Sequence, residues 1–225
     1  MSAFLYWIIQ TLADVPGSDD WLSDNERSIL AGLRFKKRRN DWLLGRWTAK
    51  QAVCAYQGKG ISLLSEIEIR AAADGAPEAF SNGAPARVSL SISHSNARSF
   101  CAVGPPDISM GCDLERIEAR DDRLIEDYFT REEMALCNSA PVEKALLANL
   151  IWSAKESVLK ALRQGMRRDT RSIEVYPGFQ KAAGCWNAWT GRCIESSRTF
   201  HGWWRSDDGF VYTLASDKFL EPSGL

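Results

Sequence analysis

Histidine is scarce in this chain, with His94 and His201 the only two among 225 residues. The six cysteines (Cys54, Cys101, Cys112, Cys137, Cys185 and Cys193) form no C-x-x-C pair and have no histidine at zinc spacing. That argues against a structural zinc module. Charge of either sign is not in excess: 28 Lys and Arg face 29 Asp and Glu, for a formal net charge of -1. A polybasic nucleic-acid coat and an acidic tail are excluded, and any polyanion must be bound by a local cluster. The longest apolar run, residues 4–9, falls far short of the ~20 residues of a membrane span. It has neither a basic flank nor a small-residue cleavage site and reads as a buried first strand, not a secretion signal. A cytoplasmic setting is therefore expected, with reduced thiols acting as small buried hydrophobes.

What is present is the composition of an ordinary globular chain, 45% hydrophobic and 25% charged. After the first strand comes a turn-rich stretch, then Ser23 and Glu26 at capping-box spacing, opening a short helix to about residue 33. Residues 34–56 read as a longer helix. Trp42, Leu43, Trp47 and Val53 supply its apolar positions, and Arg38, Arg39, Arg46 and Lys50 its charge. Residues 67–70 alternate as a strand before a turn at 74–77. Val88, Leu90 and Ile92 alternate with serines, and residues 100–103 follow as the second arm of a hairpin. Gly104-Pro105-Pro106 breaks the pattern. Beyond it the spacing predicts a strand at 109–115, helices over 124–137 and 142–162, and strands at 172–176, 184–190 and 210–215. The fold class is thus α+β, with two similar halves, 1–105 and 106–225, related by a pseudo-twofold. One chain would then supply both walls of a cleft, which predicts a monomer with its active site where the halves meet.

Four groups of residues could carry chemistry. In Gly111-Cys112-Asp113-Leu114-Glu115, Asp113 and Glu115 are two apart and share a strand face. Two such carboxylates repel unless a proton or cation stands between them, and hard oxygen ligands suit Mg²⁺. A solvated strand face is the plain alternative. In Trp152-Ser153-Ala154-Lys155-Glu156-Ser157-Val158-Leu159-Lys160, Glu156 and Lys160 share a helix face, as a surface ion pair also would. Ser91-Ile92-Ser93-His94-Ser95 offers hydroxyl and ring N–H donors to phosphate oxygens, or a local hydrogen-bonding histidine. The basic helix pairs Arg46 with Lys50 and Arg39 with Arg46 on common faces. It suits a multiply phosphorylated ligand, or merely solvent.

The order and spacing of S-x-S-H-S, G-C-D-L-E and W-S-x-K-E-S-x-x-K together resemble the Sfp-type 4'-phosphopantetheinyl transferases. Leu44-Gly45-Arg46 is similar to that family's early G-R element. Asp74-Gly75-Ala76-Pro77 resembles its G-x-P turn, and residues 128–133 its F-[ST]-x-x-E element. The resemblance implies transfer of the phosphopantetheine arm of coenzyme A onto a serine of an acyl- or peptidyl-carrier protein, with release of 3',5'-ADP. It implies a Mg²⁺ held by Asp113, Glu115 and Glu156. Lys160, His94 and Ser93 would contact cofactor phosphates, and Lys155 would accompany them. Arg46 would meet the nucleotide 3'-phosphate, with Lys36, Arg39 and Arg70 as further candidates. Ala76 departs from the family, many of whose members carry a basic residue there; Arg70 is the expected replacement. The nucleophile belongs to the carrier, and Glu156, Asp113 or a metal-bound water would take its proton, Glu156 foremost. Carrier docking is expected near residues 121–128. A different Mg²⁺-dependent transfer from a nucleotide diphosphate, and a non-catalytic coenzyme A-binding module, are the alternatives.

Overall fold

A computed structural model describes residues 4–140, 142–180 and 184–225. They divide into two compact units. The first takes the described residues up to Ile108 together with Glu221–Leu225; the second is Ser109–Leu220.

In the first unit, β1 (Phe4–Thr11) is followed by α1 (Asp24–Gly32) and α2 (Lys36–Tyr56). Next come β2 (Ile67–Ala71), β3 (Pro77–Ser81), the short β4 (Ala84–Pro85), β5 (Ser89–Ser95) and β6 (Arg98–Gly104). The chain's last strand, β12 (Glu221–Gly224), returns to this unit. It pairs parallel to β1, while β1–β6 and β6–β5 pair antiparallel, giving the order β12-β1-β6-β5. β2, β3 and β4 form a separate small sheet. The register aligns Leu90, Val103 and Tyr6 in one row and Ile92, Cys101 and Ile8 in the next. All six pack in one apolar cluster with Ala49, Ala52 and Val53 of α2. Period-2 alternation on the strands and 3.6-residue periodicity on α2 thus meet in one core.

The second unit contains β7 (Met110–Arg116), α3 (Asp122–Tyr128), α4 (Arg131–Ser139) and α5 (Lys144–Ala161). Four strands follow: β8 (Ile173–Pro177), β9 (Asn187–Cys193), β10 (Thr199–Asp207) and β11 (Phe210–Ser216). All pair antiparallel in the order β7-β11-β10-β9-β8. The helical stretch expected over 124–137 is two helices. Thr130 interrupts it, accepting from Glu133 N as the cap of α4. The architecture is α+β, as expected.

One device recurs in each unit. In the first, Glu26 completes a capping box with Ser23, accepts from Ile69 N at 3.0 Å and forms a wholly buried ion pair with Lys50 of α2. Lys50 also donates to the Trp21 carbonyl at 2.8 Å. In the second, Glu133 completes a capping box with Thr130, accepts from Val175 N at 2.9 Å and pairs with buried Lys155 of α5 at 2.8 Å. Each glutamate ties a short helix to a long helix and to a strand. Lys50 therefore shares no solvated basic face with Arg46: it belongs to the core.

Candidate active site

β7 turns Met110, Cys112 and Leu114, all buried, to one side and Gly111, Asp113 and Glu115 to the other. The backbone of α5 presses on that second side. A Cβ on Gly111 would stand 1.9 Å from the Ser157 carbonyl oxygen and 2.8 Å from Ala161 N, so only glycine fits. Ser153 and Ser157 fix the helix further, sharing hydrogen bonds with Thr213 Oγ1 of β11 at 2.8 and 2.7 Å. Thr213 is the ladder partner of Asp113. Sequence and packing thereby set the distance between the β7 carboxylates and one face of α5.

That face carries Asn149, Trp152, Glu156 and Lys160, spaced i, i+3, i+7 and i+11. Lys160 Nζ donates to Asp113 Oδ1 at 2.8 Å and to the Cys112 carbonyl at 3.0 Å. Burial, the largest single influence, would depress the Lys160 ammonium, but Asp113, Cys112 and Glu156 together outweigh it and hold its pKa above the usual lysine value. Trp152 Nε1 donates to Glu115 Oε1 at 3.1 Å, and Arg120 Nη2 stands 3.1 Å from Glu115 Oε2. Glu156 Oε1 is buried and has no hydrogen-bond partner among the described residues. Burial, then the Asp113 charge, raise the pKa of both Glu156 and Glu115; Lys160 opposes the shift in Glu156, Arg120 that in Glu115. The three carboxylates thus feel one another electrostatically. Among the described residues, no three His, Cys, Asp or Glu side chains are gathered as a metal-holding group. Asp113 and Glu115 are instead each drawn to a cation of this unit.

Lys155 requires a correction. Expected beside the cofactor, it is wholly buried and paired with Glu133. It also donates to the Thr170 and Ile173 carbonyls at 2.9 and 2.8 Å. A helix turns about 100° per residue, so a lysine adjacent to Glu156 in sequence points into the core. The F-[ST]-x-x-E glutamate, Glu133, is its partner, so that element is structural too.

Within the first unit, Arg46 lies half-buried with its guanidinium 5.0 Å from the Trp42 ring centroid. Its Nε is buried and unpartnered among the described residues, and burial lowers its pKa. Arg39 donates to the Leu30 carbonyl at 3.0 Å, near the end of α1. Arg70 pairs with Glu68 at 2.7 Å over the Phe80 ring. On β5, Ser93 is buried and His94 exposed. Ala76 N donates to Asp74 Oδ1 at 3.0 Å within the β2–β3 turn.

Residues 109–204 match a family model, the 4'-phosphopantetheinyl transferase superfamily. That segment, under half of the chain, is similar to the superfamily. No curated protein matches the chain. The superfamily match covers Asp113, Glu115, Glu156 and Lys160, whereas Arg39, Arg46, Arg70, Ser93 and His94 lie outside it. The resemblance is thus borne out at the level of the superfamily, with phosphopantetheine transfer as its general chemistry and coenzyme A as its substrate. The residues unforeseen in the sequence are Trp152, Arg120 and Asn149. Trp152 carried a signal, the fixed first position of its motif. Arg120 and Asn149 carried none.

Proposed function

We propose that the chain transfers the 4'-phosphopantetheine arm of coenzyme A to a serine of an apo acyl- or peptidyl-carrier protein in a Mg²⁺-dependent reaction, releasing 3',5'-ADP. The observation that carries this reading is Glu156 Oε1, buried, unpartnered and beside two further carboxylates. Burying an unsatisfied carboxylate oxygen costs roughly several kcal/mol, so a cation, a proton or a water at this atom is favoured, which supports the reading.

The donor type suits a hard divalent cation: all three side chains are carboxylates, Glu156 with a buried oxygen free of hydrogen bonds among the described residues, and none is a soft ligand. Asp113, Glu115 and Glu156 would hold it, and when bound it would supply Lewis-acid stabilisation of charge on the diphosphate. Lys160 brings a fixed ammonium to Asp113 and stabilises negative charge on a phosphate oxygen. In the transfer, the carrier serine oxygen forms a bond to the phosphorus of the pantetheine phosphate. The bond from that phosphorus to the ADP oxygen breaks, and the electron pair leaves with 3',5'-ADP. Glu156 takes the serine proton. Its raised pKa keeps the conjugate acid accessible nearer neutrality than an ordinary glutamate allows. Arg46, His94, Ser93, Arg39 and Arg70 are proposed phosphate contacts, Arg46 foremost because its buried Nε has no partner of its own.

All six cysteines are free thiols and five are buried, which supports a cytoplasmic setting. Among the described residues, no helix is long and apolar enough to cross a membrane. A self-sufficient monomer docking its carrier near α3 completes the proposal. The test incubates the purified protein with coenzyme A, Mg²⁺ and a panel of apo-carriers. A mass gain equal to the arm, lost on Glu156→Gln, supports it; no gain on any carrier sinks it. Turnover with ATP replacing coenzyme A would favour a different nucleotide-diphosphate transferase.

A further inference from the structure

The local cluster that a polyanion would need stands at the start of α2. Residues 34–38, Arg34-Phe35-Lys36-Lys37-Arg38, are exposed without interruption. Phe35 is 75% exposed, the most of any large apolar side chain among the described residues. Arg34, Lys36, Lys37 and Arg38 form no ion pair or side-chain hydrogen bond among the described residues. Asp41, the nearest acid in sequence, pairs with none of them. The segment is nonetheless firmly seated. Leu33 before it and Trp42 and Leu43 after it pack on the first unit's core. Arg39 ties the start of α2 to the Leu30 carbonyl at 3.0 Å. Helix stability gives no reason for the arrangement. Cations in a first turn oppose the helix dipole, and Phe35 supplies no side-chain cap.

Four cations around one projecting aromatic ring match the chemistry of one kind of surface. A bilayer rich in anionic lipid attracts clustered Lys and Arg and takes an aromatic side chain in among its headgroups. A small phosphate ligand would engage the cations but leave Phe35 in water. A protein interface draws on roughly 20–30 residues a side, and a single-stranded nucleic acid on a run of stacking rings. A short knob with one ring offers neither. We propose that residues 34–38 dock the protein on an anionic lipid surface, with the cations against the headgroups and Phe35 inserted between them. The contact is peripheral and reversible, and it goes beyond the transfer reading without depending on it.

The experiment sediments the full chain with vesicles of phosphatidylcholine alone or of equal parts phosphatidylcholine and phosphatidylglycerol. Wild type should partition onto the mixed vesicles only, and should leave them at about 0.5 M salt, where charge is screened. Each cation at such a surface is worth about fivefold, so Arg34→Gln, Lys37→Gln and Arg38→Gln together should weaken binding roughly 10²-fold. Phe35→Ala should weaken it about tenfold. Arg87→Gln removes an exposed charge elsewhere in the first unit and should change binding by less than about twofold. The triple variant should melt at or above the wild-type temperature, because it relieves the charge at the helix start. Equal binding of wild type and the triple variant overturns the proposal, as does equal binding to neutral and anionic vesicles. Release from the vesicles by coenzyme A would return the cations to a phosphate ligand and overturn it too. Retention by soluble polyglutamate or single-stranded DNA, with no vesicle binding, would do the same in favour of another polyanion.

Discussion

Gly111→Ala tests the geometry most directly. The added methyl would sit 1.9 Å from the Ser157 carbonyl oxygen, where about 3 Å is the nearest that real contacts allow. The obstruction is helix backbone, which no rotamer change relieves. α5 or β7 must therefore retreat by roughly 1 Å, and overpacking of this kind costs about 1–3 kcal/mol. In a chain of this size that lowers Tm by roughly 3–10 °C. Function should suffer more than stability. The Lys160–Asp113 hydrogen bond is 2.8 Å long and spans the same helix–strand seam. A misplacement of about 1 Å at a reacting centre can cost ~10²-fold in rate. The assay pairs thermal melting with carrier modification followed by mass spectrometry. Gly32→Ala, where a Cβ meets nothing within 4 Å, serves as the control and should behave as wild type. If Gly111→Ala melts with wild type and transfers at the wild-type rate, the helix is not held where the structure places it.

Glu156→Gln should reduce transfer by about 10²–10⁴-fold, the range for loss of a general base, while stability stays level or rises because a buried, repelled charge is removed. Enzyme turnover and a denaturant melt check the two halves of that statement. The folded pKa of Glu156 lies above its unfolded value, so the protonated form's stability is full below the unfolded pKa and is lost as pH rises through the folded pKa. Wild-type stability should therefore carry a falling component from about pH 4.5 upward that Glu156→Gln lacks, as read from melts across pH. Lys155→Met should cost about 3–5 kcal/mol in urea unfolding by stranding Glu133. Its folded fraction should retain wild-type transfer; a specific loss of coenzyme A affinity would contradict the buried, structural placement.

The reading of the W-S-x-K-E-S-x-x-K helix from spacing held for Glu156 and Lys160, because helical periodicity alone decides which side chains share a face. The same periodicity turns Lys155 away from that face; its place beside the cofactor came from the family resemblance alone, and its actual partner, Glu133, stands 22 residues earlier, a distance no periodic pattern reports. The α+β class was legible because each strand and helix in β5, β6, α2 and α5 announces itself by alternation or by a 3.6-residue stripe. β10 was not. Its inward positions run Phe200, Gly202, Trp204, and the glycine breaks the apolar alternation. Space explains that glycine: a Cβ on Gly202 would fall 2.0 Å from Trp189 Cε2, so the indole of β9 occupies the side chain's place. Gly111 was read only as part of a carboxylate motif. Its packing role depends on α5, whose arrival forty-odd residues later is a tertiary event.

The parallel pairing of β12 with β1 has a consequence for synthesis. β1 is made before the strands it pairs with, yet one edge stays open until residues 221–224 emerge from the ribosome and align Glu221 with Phe4 and Gly224 with Trp7. Throughout translation of the second unit, the nascent chain carries an uncovered ladder of backbone donors and acceptors, which invites pairing with other chains. A stop codon ahead of residue 221 would leave that edge permanently bare, so truncated products should be lost to aggregation even though every candidate site residue is present in them.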